Sequence, residues 1–348
     1  MFRYIGNKTR LLPFIIEKTK EIIGPTGIVA DIMAGTGSVS LGYRKNGYKV
    51  IASDVMTYSY HHLVSQLQLD AAPEFELLYE IELQKHRRYE SLLSYLNDLS
   101  PEEGYFFNEF SPEGTPANGS DPRKYFTSSN AKKIDSVRKT INYLKFSNQI
   151  TSVEESVLKH TLIMAVNRVA NISGTYGHYL SDFTTSSLKP IQLTSFIFER
   201  GRTDNVVLQG FAEEVSSDIS ADLCYIDPPY MKRQYAANYH ILETIARGDC
   251  PEAIGQSGLR NWWDQHSKFC TKTRSEDSFK KIITSMDCDN FLISYSEDGL
   301  LSIDKLQDLF SKHGDVRATA IPHSRYRSNK SKLPPKINEY ILELHRAR

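Results

Sequence analysis

The feature that most limits what this chain can fold into is a short apolar run that breaks on glycine. Residues 27–35, Gly-Ile-Val-Ala-Asp-Ile-Met-Ala-Gly, lead into Thr36, Gly37 and a stretch of helical spacing from Ser38 to Asn46, and a second apolar run follows at Tyr48–Asp54. An apolar run of this length ending at glycine reads as a buried strand entering a tight turn. Strand, turn, helix and strand in that order make the βαβ unit of a parallel sheet, which places its ligand sites beyond the carboxyl ends of its strands.

The rest of the chain extends that sheet. An amphipathic helix is expected over 8–23, and strands at Asn205–Gly210, Ala221–Ile226, Asn290–Ser296 and Lys336–Leu344. Helical spacing runs through 57–100, 128–147 and 151–171, whereas the prolines and glycines of 100–127 mark a long irregular loop and Asn171–Leu180 a second one. The expected fold is α/β: a Rossmann-like, mostly parallel sheet domain from 1–71 and 196–348, split by a largely helical insertion over 72–195. With 348 residues, 40% of them hydrophobic, the chain can bury a substantial core, which excludes disorder. No apolar run approaches the ~20 residues of a membrane span, and the first residues hold no signal-peptide core, so a cytoplasmic monomer is expected. The four cysteines, Cys224, Cys250, Cys270 and Cys288, form no C-x-x-C pair, so neither a disulfide framework nor a metal site is expected. Acidic and basic residues balance at 42 each, so net charge selects no partner class.

Two constellations carry chemistry. The first is Asp31-Ile-Met-Ala-Gly35-Thr-Gly37-Ser, placed where a strand turns into a helix. Glycines there admit close backbone approach to a ligand, and Asp54 at the end of the next strand can accept from both hydroxyls of a ribose. No Gly-Lys-Ser/Thr follows, which removes the P-loop reading; an adenosine-bearing cofactor fits, and a ligand-free strand–helix turn is the plain alternative. The second is Asp227-Pro228-Pro229-Tyr230, directly after the strand Ala221–Ile226. Two prolines hold the turn rigid. The Asp227 carboxylate and the Pro228 carbonyl can then point two acceptors at one amine, while Tyr230 offers a face for stacking. That arrangement suits methylation of an aromatic amine, whose delocalised lone pair needs both pyramidalisation and stabilisation of the positive charge it develops.

With these segments in place, the sequence resembles the Dam-like DNA adenine N6-methyltransferases. The resemblance rests on Tyr4-Ile-Gly-Asn-Lys8 with Leu11 and Ile15, on residues 31–38 and on 227–230, in the order of the family's alpha group. It implies S-adenosylmethionine as cofactor and an adenine flipped out of double-stranded DNA as substrate. By the same resemblance Tyr4 and Lys8 contact the cofactor, with Lys8 near its carboxylate. Asp31 sits near its amino group, Gly35 and Gly37 form the cradle, Asp54 binds the ribose and Phe211 packs on the adenine. Asp227, Pro228, Pro229 and Tyr230 hold the target base, with Asp227 also bordering the cofactor. Met33 and Gly210 depart from the usual phenylalanine and aspartate; Gln209 is the candidate replacement for the latter. Residues 125–135, 170–177 and 233–247 are similar to a subgroup found in restriction–modification systems, where a cognate endonuclease is a possible companion that sequence does not reveal.

For DNA contact the candidates are Arg123 and Lys124, at the start of a basic stretch over 121–150, and Arg325, Arg327 and Lys330 in the acid-free loop 322–336. Basic loops suit phosphate contacts that position a duplex without reading it, although a charge run is more often a solvated face. Trp262 and Trp263 are expected to anchor a hydrophobic cluster rather than face DNA, and His178 and His240 to be structural. The competing readings are a cytosine N4-methyltransferase, which generally carries serine in place of Asp227, an RNA or protein-amide methyltransferase, which usually carries asparagine there, a non-catalytic relic, and a nicotinamide-dependent dehydrogenase, which leaves residues 227–230 unexplained.

Overall fold

The computed structural model describes residues 6, 8–324 and 336–347. Seven strands form one sheet: β1 (Ile28–Asp31), β2 (Lys49–Asp54), β3 (Val206–Gln209), β4 (Leu223–Ile226), β5 (Asn290–Ser296), β6 (Gly314–Ser324) and β7 (Lys336–Arg346). Their order is β3-β2-β1-β4-β5-β7-β6. β1 to β5 run parallel, and β7 enters antiparallel between β5 and β6. The expected α/β class with a mostly parallel sheet is therefore observed. The strand order reverses between β1 and β4, the switch point at which such sheets open a crevice.

Both faces of the sheet are covered, as the unbroken burial of β4 requires. Successive residues of a strand point to opposite faces. Cys224 and Ile226 join a core with Phe279 and Ile282 from the helix Lys272–Ser285 and Leu306 and Phe310 from the helix Ile303–Phe310. Tyr225, between them, meets Tyr43 of the helix Ser38–Lys45 at 6.4 Å between ring centroids. The helix Leu12–Ile23 packs close to Ser38–Lys45 at Gly42, where an added Cβ would lie 2.5 Å from Leu12 Cδ1.

Packing divides the chain into two compact units. Of the described residues, the sheet unit holds 8–63, 201–235, 265–324 and 336–347; the other holds Gly6, 64–200 and 236–264. The reading from sequence drew the insertion at 72–195 and left 236–264 with the sheet; the packing assigns that segment to the helical unit. The largest helices of this unit are Ser128–Phe146 and Ser152–Val169. Thr127 caps the first by accepting from the Asn130 amide, and Thr151 with Glu154 forms a reciprocal capping box on the second. The irregular stretch 100–127 contains one short helix, Tyr105–Phe110, whose first amides donate to the buried Asp135 carboxylate. The helical pattern expected over 57–100 is broken between Leu67 and Tyr89, where only Ile81–Gln84 forms a short helical turn. No helix among the described residues is long and apolar enough to cross a membrane.

Candidate active site

Four carboxylates converge at this end of the sheet because β1, β2 and β4 are parallel and β7 returns beside β5. Asp31 closes β1 and stands in register with Tyr225 of β4, so Asp227 follows one residue beyond that strand's end. Asp54 closes β2. Glu339, on β7, pairs with Ser296 at the end of β5.

The cradle is built from the first three segments. Gly35 and Gly37 have φ of 55° and 79°, left-handed values that favour glycine, and Gly37 caps the helix Ser38–Lys45. The Gly35 amide donates to Asp54 Oδ2 at 2.8 Å and the Met56 amide to Asp54 Oδ1 at 2.8 Å, so Asp54 shapes the loop. Ser40 donates to Asp31 Oδ2 at 2.6 Å. Asp31 Oδ1, by contrast, is buried without a hydrogen-bond partner among the described residues. Burial raises the Asp31 carboxyl to about 7, against the Ser40 hydrogen bond and helped by the charges of Asp227 and Asp54. A buried acceptor without a donor is costly, and a cationic N–H from a ligand would satisfy it.

Phe211 begins a single helical turn directly after β3, whose partner is β2, and the Gly210 amide donates to the Asp54 carbonyl. That brings Phe211 next to the Asp54 end of the cradle. Gly210 is required by close packing: a Cβ there would lie 2.9 Å from Val215 Cγ1. The Gln209 side chain, the candidate replacement for the missing aspartate, donates to Thr57 Oγ1 at 2.9 Å.

The Asp-Pro-Pro-Tyr turn forms the second half. Lys8 is buried and bonds to two carboxylates, Asp227 Oδ1 at 3.1 Å and Glu339 Oε1 at 2.6 Å. Lys8 thus braces the Asp-Pro-Pro-Tyr turn, at the end of the site where the resemblance expects the cofactor's carboxylate. Burial disfavours its charge, but Asp227, Tyr230 and Glu339 together hold its pKa above the usual lysine value. Burial pushes Asp227 up to about 7; Lys8 opposes that rise and Glu339 reinforces it. About a fifth of the Asp227 side chain remains open (18%). Tyr230 lies edge-on to Tyr295 at 5.7 Å, its ring is 5.3 Å from Lys8 Nζ, and its carbonyl accepts from the Leu300 amide. Asp227 and Glu339 share one lysine, and Asp31 feels the charges of Asp227 and Asp54, so carboxylates outnumber the cation at these strand ends, an arrangement that favours a cationic ligand.

The site residues inferred from sequence thus meet in one place, apart from Tyr4, which lies outside the described residues. Glu339 was not among them. Its signal is an acid on the face of β7 that otherwise carries Ile337 and Ile341, and Glu343 repeats it by pairing with Lys18 at 3.4 Å.

The candidate DNA contacts fare differently. Arg123 is a correction: it is fully buried, pairs with Glu109 Oε2 at 2.7 Å and donates to the carbonyls of Gly255 and Gln256. Its charge was misread as a surface charge because its partners are distant in sequence. Lys124 donates to the Ser181 carbonyl. Downstream, Lys132 and Lys139 pair with Glu103 and Glu102, so the basic face of that helix is largely compensated. Arg325, Arg327 and Lys330 lie outside the described residues. Trp262 stacks on Trp263 with centroids 5.0 Å apart, and Trp263 is 69% exposed, so it does not anchor a core. His240 is buried, bonds to the Tyr176 carbonyl and is driven down to about 3 chiefly by burial, a neutral structural histidine.

A family model described as D12 class N6 adenine-specific DNA methyltransferase matches residues 4–311. The chain belongs to this family. Its relatives include the type II methyltransferase M.NlaIII of Neisseria lactamica, 31% identical over 94% of this chain and 93% of that protein. They also include the type II methyltransferase M.FokI of Planomicrobium okeanokoites, 32% identical over 99% of this chain and 52% of that protein. The modification methylase StsI of Streptococcus sanguinis is 31% identical over 99% of this chain and 52% of its own length. The chain therefore spans about half the length of M.FokI and StsI and nearly all of M.NlaIII.

Proposed function

We propose that this D12-family protein transfers a methyl group from S-adenosylmethionine to N6 of an adenine flipped out of duplex DNA, as the modification partner of a restriction system. The observation that carries the reading is the Asp227–Tyr230 turn at the end of β4, set beside a cradle with an unsatisfied buried carboxylate oxygen. The cofactor suits this chain: Asp31 Oδ1 would take its ammonium, Asp54 its ribose hydroxyls, and Phe211 its adenine. When bound, it supplies a methyl group on a positively charged sulfur, a charge the acidic site favours.

The chain's own residues do the rest. Tyr230 supplies a ring against which a flipped base can stack. Asp227 and the Pro228 carbonyl accept from the two N–H bonds of the exocyclic amine, turning its lone pair toward the methyl group. As the nitrogen becomes cationic, the Asp227 carboxylate stabilises it, and the rigid prolines mean that little reorganisation is needed at that moment. The restriction context rests on the printed names of the relatives, which are type II methyltransferases and modification methylases.

The test is product identity. Purified protein is incubated with S-adenosylmethionine and unmethylated duplex DNA, and the digested nucleosides are resolved by mass spectrometry. N6-methyladenine is the expected product; N4-methylcytosine would overturn the base assignment, and no modified base would overturn the reaction.

A further inference from the structure

Lys8 is shared unequally. Its ammonium is 2.6 Å from Glu339 Oε1 and 3.1 Å from Asp227 Oδ1, and Ser294 Oγ holds the same Glu339 oxygen at 2.9 Å. Glu339 is 2% exposed, on a strand that the flanking β5 and β6 fix in register. A buried lysine facing one carboxylate would neutralise it and occupy its lone pairs. Facing two, it can fully neutralise neither. We propose that Glu339 is a positioning residue that draws Lys8 away from Asp227, so that Lys8 does not fully compensate the Asp227 carboxylate and its second oxygen stays open to the target amine.

The groups that face Asp227 are Lys8 from the segment before the first helix, Glu339 from β7, Asp31 from β1, Tyr225 from β4 and Tyr230 from its own turn. Among the described residues, Lys8 alone of these is cationic. Taking away the Glu339 charge therefore makes Asp227 a stronger acid and a weaker electrostatic partner for a developing ammonium. Taking away Lys8 leaves two buried carboxylates that hold a proton between them. The two changes move Asp227 in opposite directions, which a merely structural role for Glu339 would not do.

The inference rests on the reading of Asp227 as the residue that grips the amine, and its test separates the two. In the ligand-free protein, the side-chain carboxyl of Asp227 is titrated by carbon-13 NMR in the wild type, in Glu339→Gln and in Lys8→Met. Glutamine preserves the acceptor for Lys8 and Ser294 and removes only the charge. The expected result is a titration about one unit lower in Glu339→Gln and higher in Lys8→Met, with kcat of Glu339→Gln reduced roughly tenfold and its acidic limb displaced downward. An Asp227 titration that does not move in Glu339→Gln, or that moves the same way in both variants, overturns the proposal. Should the wild type methylate no DNA, the functional reading fails while the titrations still decide whether Glu339 controls Asp227.

Discussion

Replacing Asp31 with asparagine should stabilise the ligand-free protein at alkaline pH and destroy its hold on the cofactor. Folded Asp31 releases its proton at about 7, whereas the free carboxyl does so at 3.8. Below the lower value both states are protonated and the group costs nothing. As pH rises through the window the unfolded chain ionises first, so stability is lost, and the loss is complete above the folded value. The gap between the two values corresponds to ~4 kcal/mol. Asparagine never ionises, but it puts an unpartnered amide where Oδ1 was, at a cost of ~1–3 kcal/mol at every pH. The variant should therefore be less stable than the wild type near pH 4 and more stable near pH 8, by ~1–3 kcal/mol in each case. Melting curves across that range, at ~1–2 °C per kcal/mol for a chain of this size, would show the two profiles crossing. Added S-adenosylmethionine should raise Tm in the wild type and leave the variant unmoved near pH 8. Parallel profiles, or an undiminished ligand-induced shift in the variant, would refute the assignment of Asp31 as a buried, ligand-seeking charge.

Other expectations follow from the same geometry. Asp227→Ala should abolish methyl transfer while cofactor affinity, measured by calorimetry, falls only modestly; retained turnover would remove the carboxylate from the mechanism. Tyr230→Ala should weaken binding of a duplex carrying the intact target by the ~1–3 kcal/mol of a base–aromatic stack, read by fluorescence anisotropy. Arg123→Ala should lower unfolding free energy in urea by ~3–5 kcal/mol, since it strands Glu109 in the interior, and leave the salt dependence of DNA binding as it was. A reduced salt slope in that variant would restore Arg123 to the DNA surface.

Much of this was legible because it is local. The glycine turn at 35–37, the apolar strands and the Asp-Pro-Pro-Tyr turn are each written in fewer than about ten consecutive residues, where backbone sterics and burial act directly. The misreadings share a cause of the opposite kind. Arg123 looks solvated until Gly255 and Gln256 are brought to it, and Glu339, an acid on the face of β7 that carries Ile337 and Ile341, shows no partner until Lys8 is placed beside it. β6, which the sequence reading did not draw and whose last three residues fall in the expected loop 322–336, is an edge strand paired on one side, with β7. Pairings across a hundred residues or more leave no periodic trace.

The helical unit is made of two stretches of chain that enter it separately, and cations tie them together. Arg123 reaches the carbonyls of Gly255 and Gln256, Arg138 that of Asp249, and Lys159 that of Ala246. Anyone seeking to exchange this unit between relatives must therefore transplant both stretches as a set. A graft of the longer piece alone would keep the pairs of Arg123 with Glu109 and Lys159 with Glu155 but lose the carbonyls of the second stretch, leaving three buried cations short of acceptors and the graft destabilised.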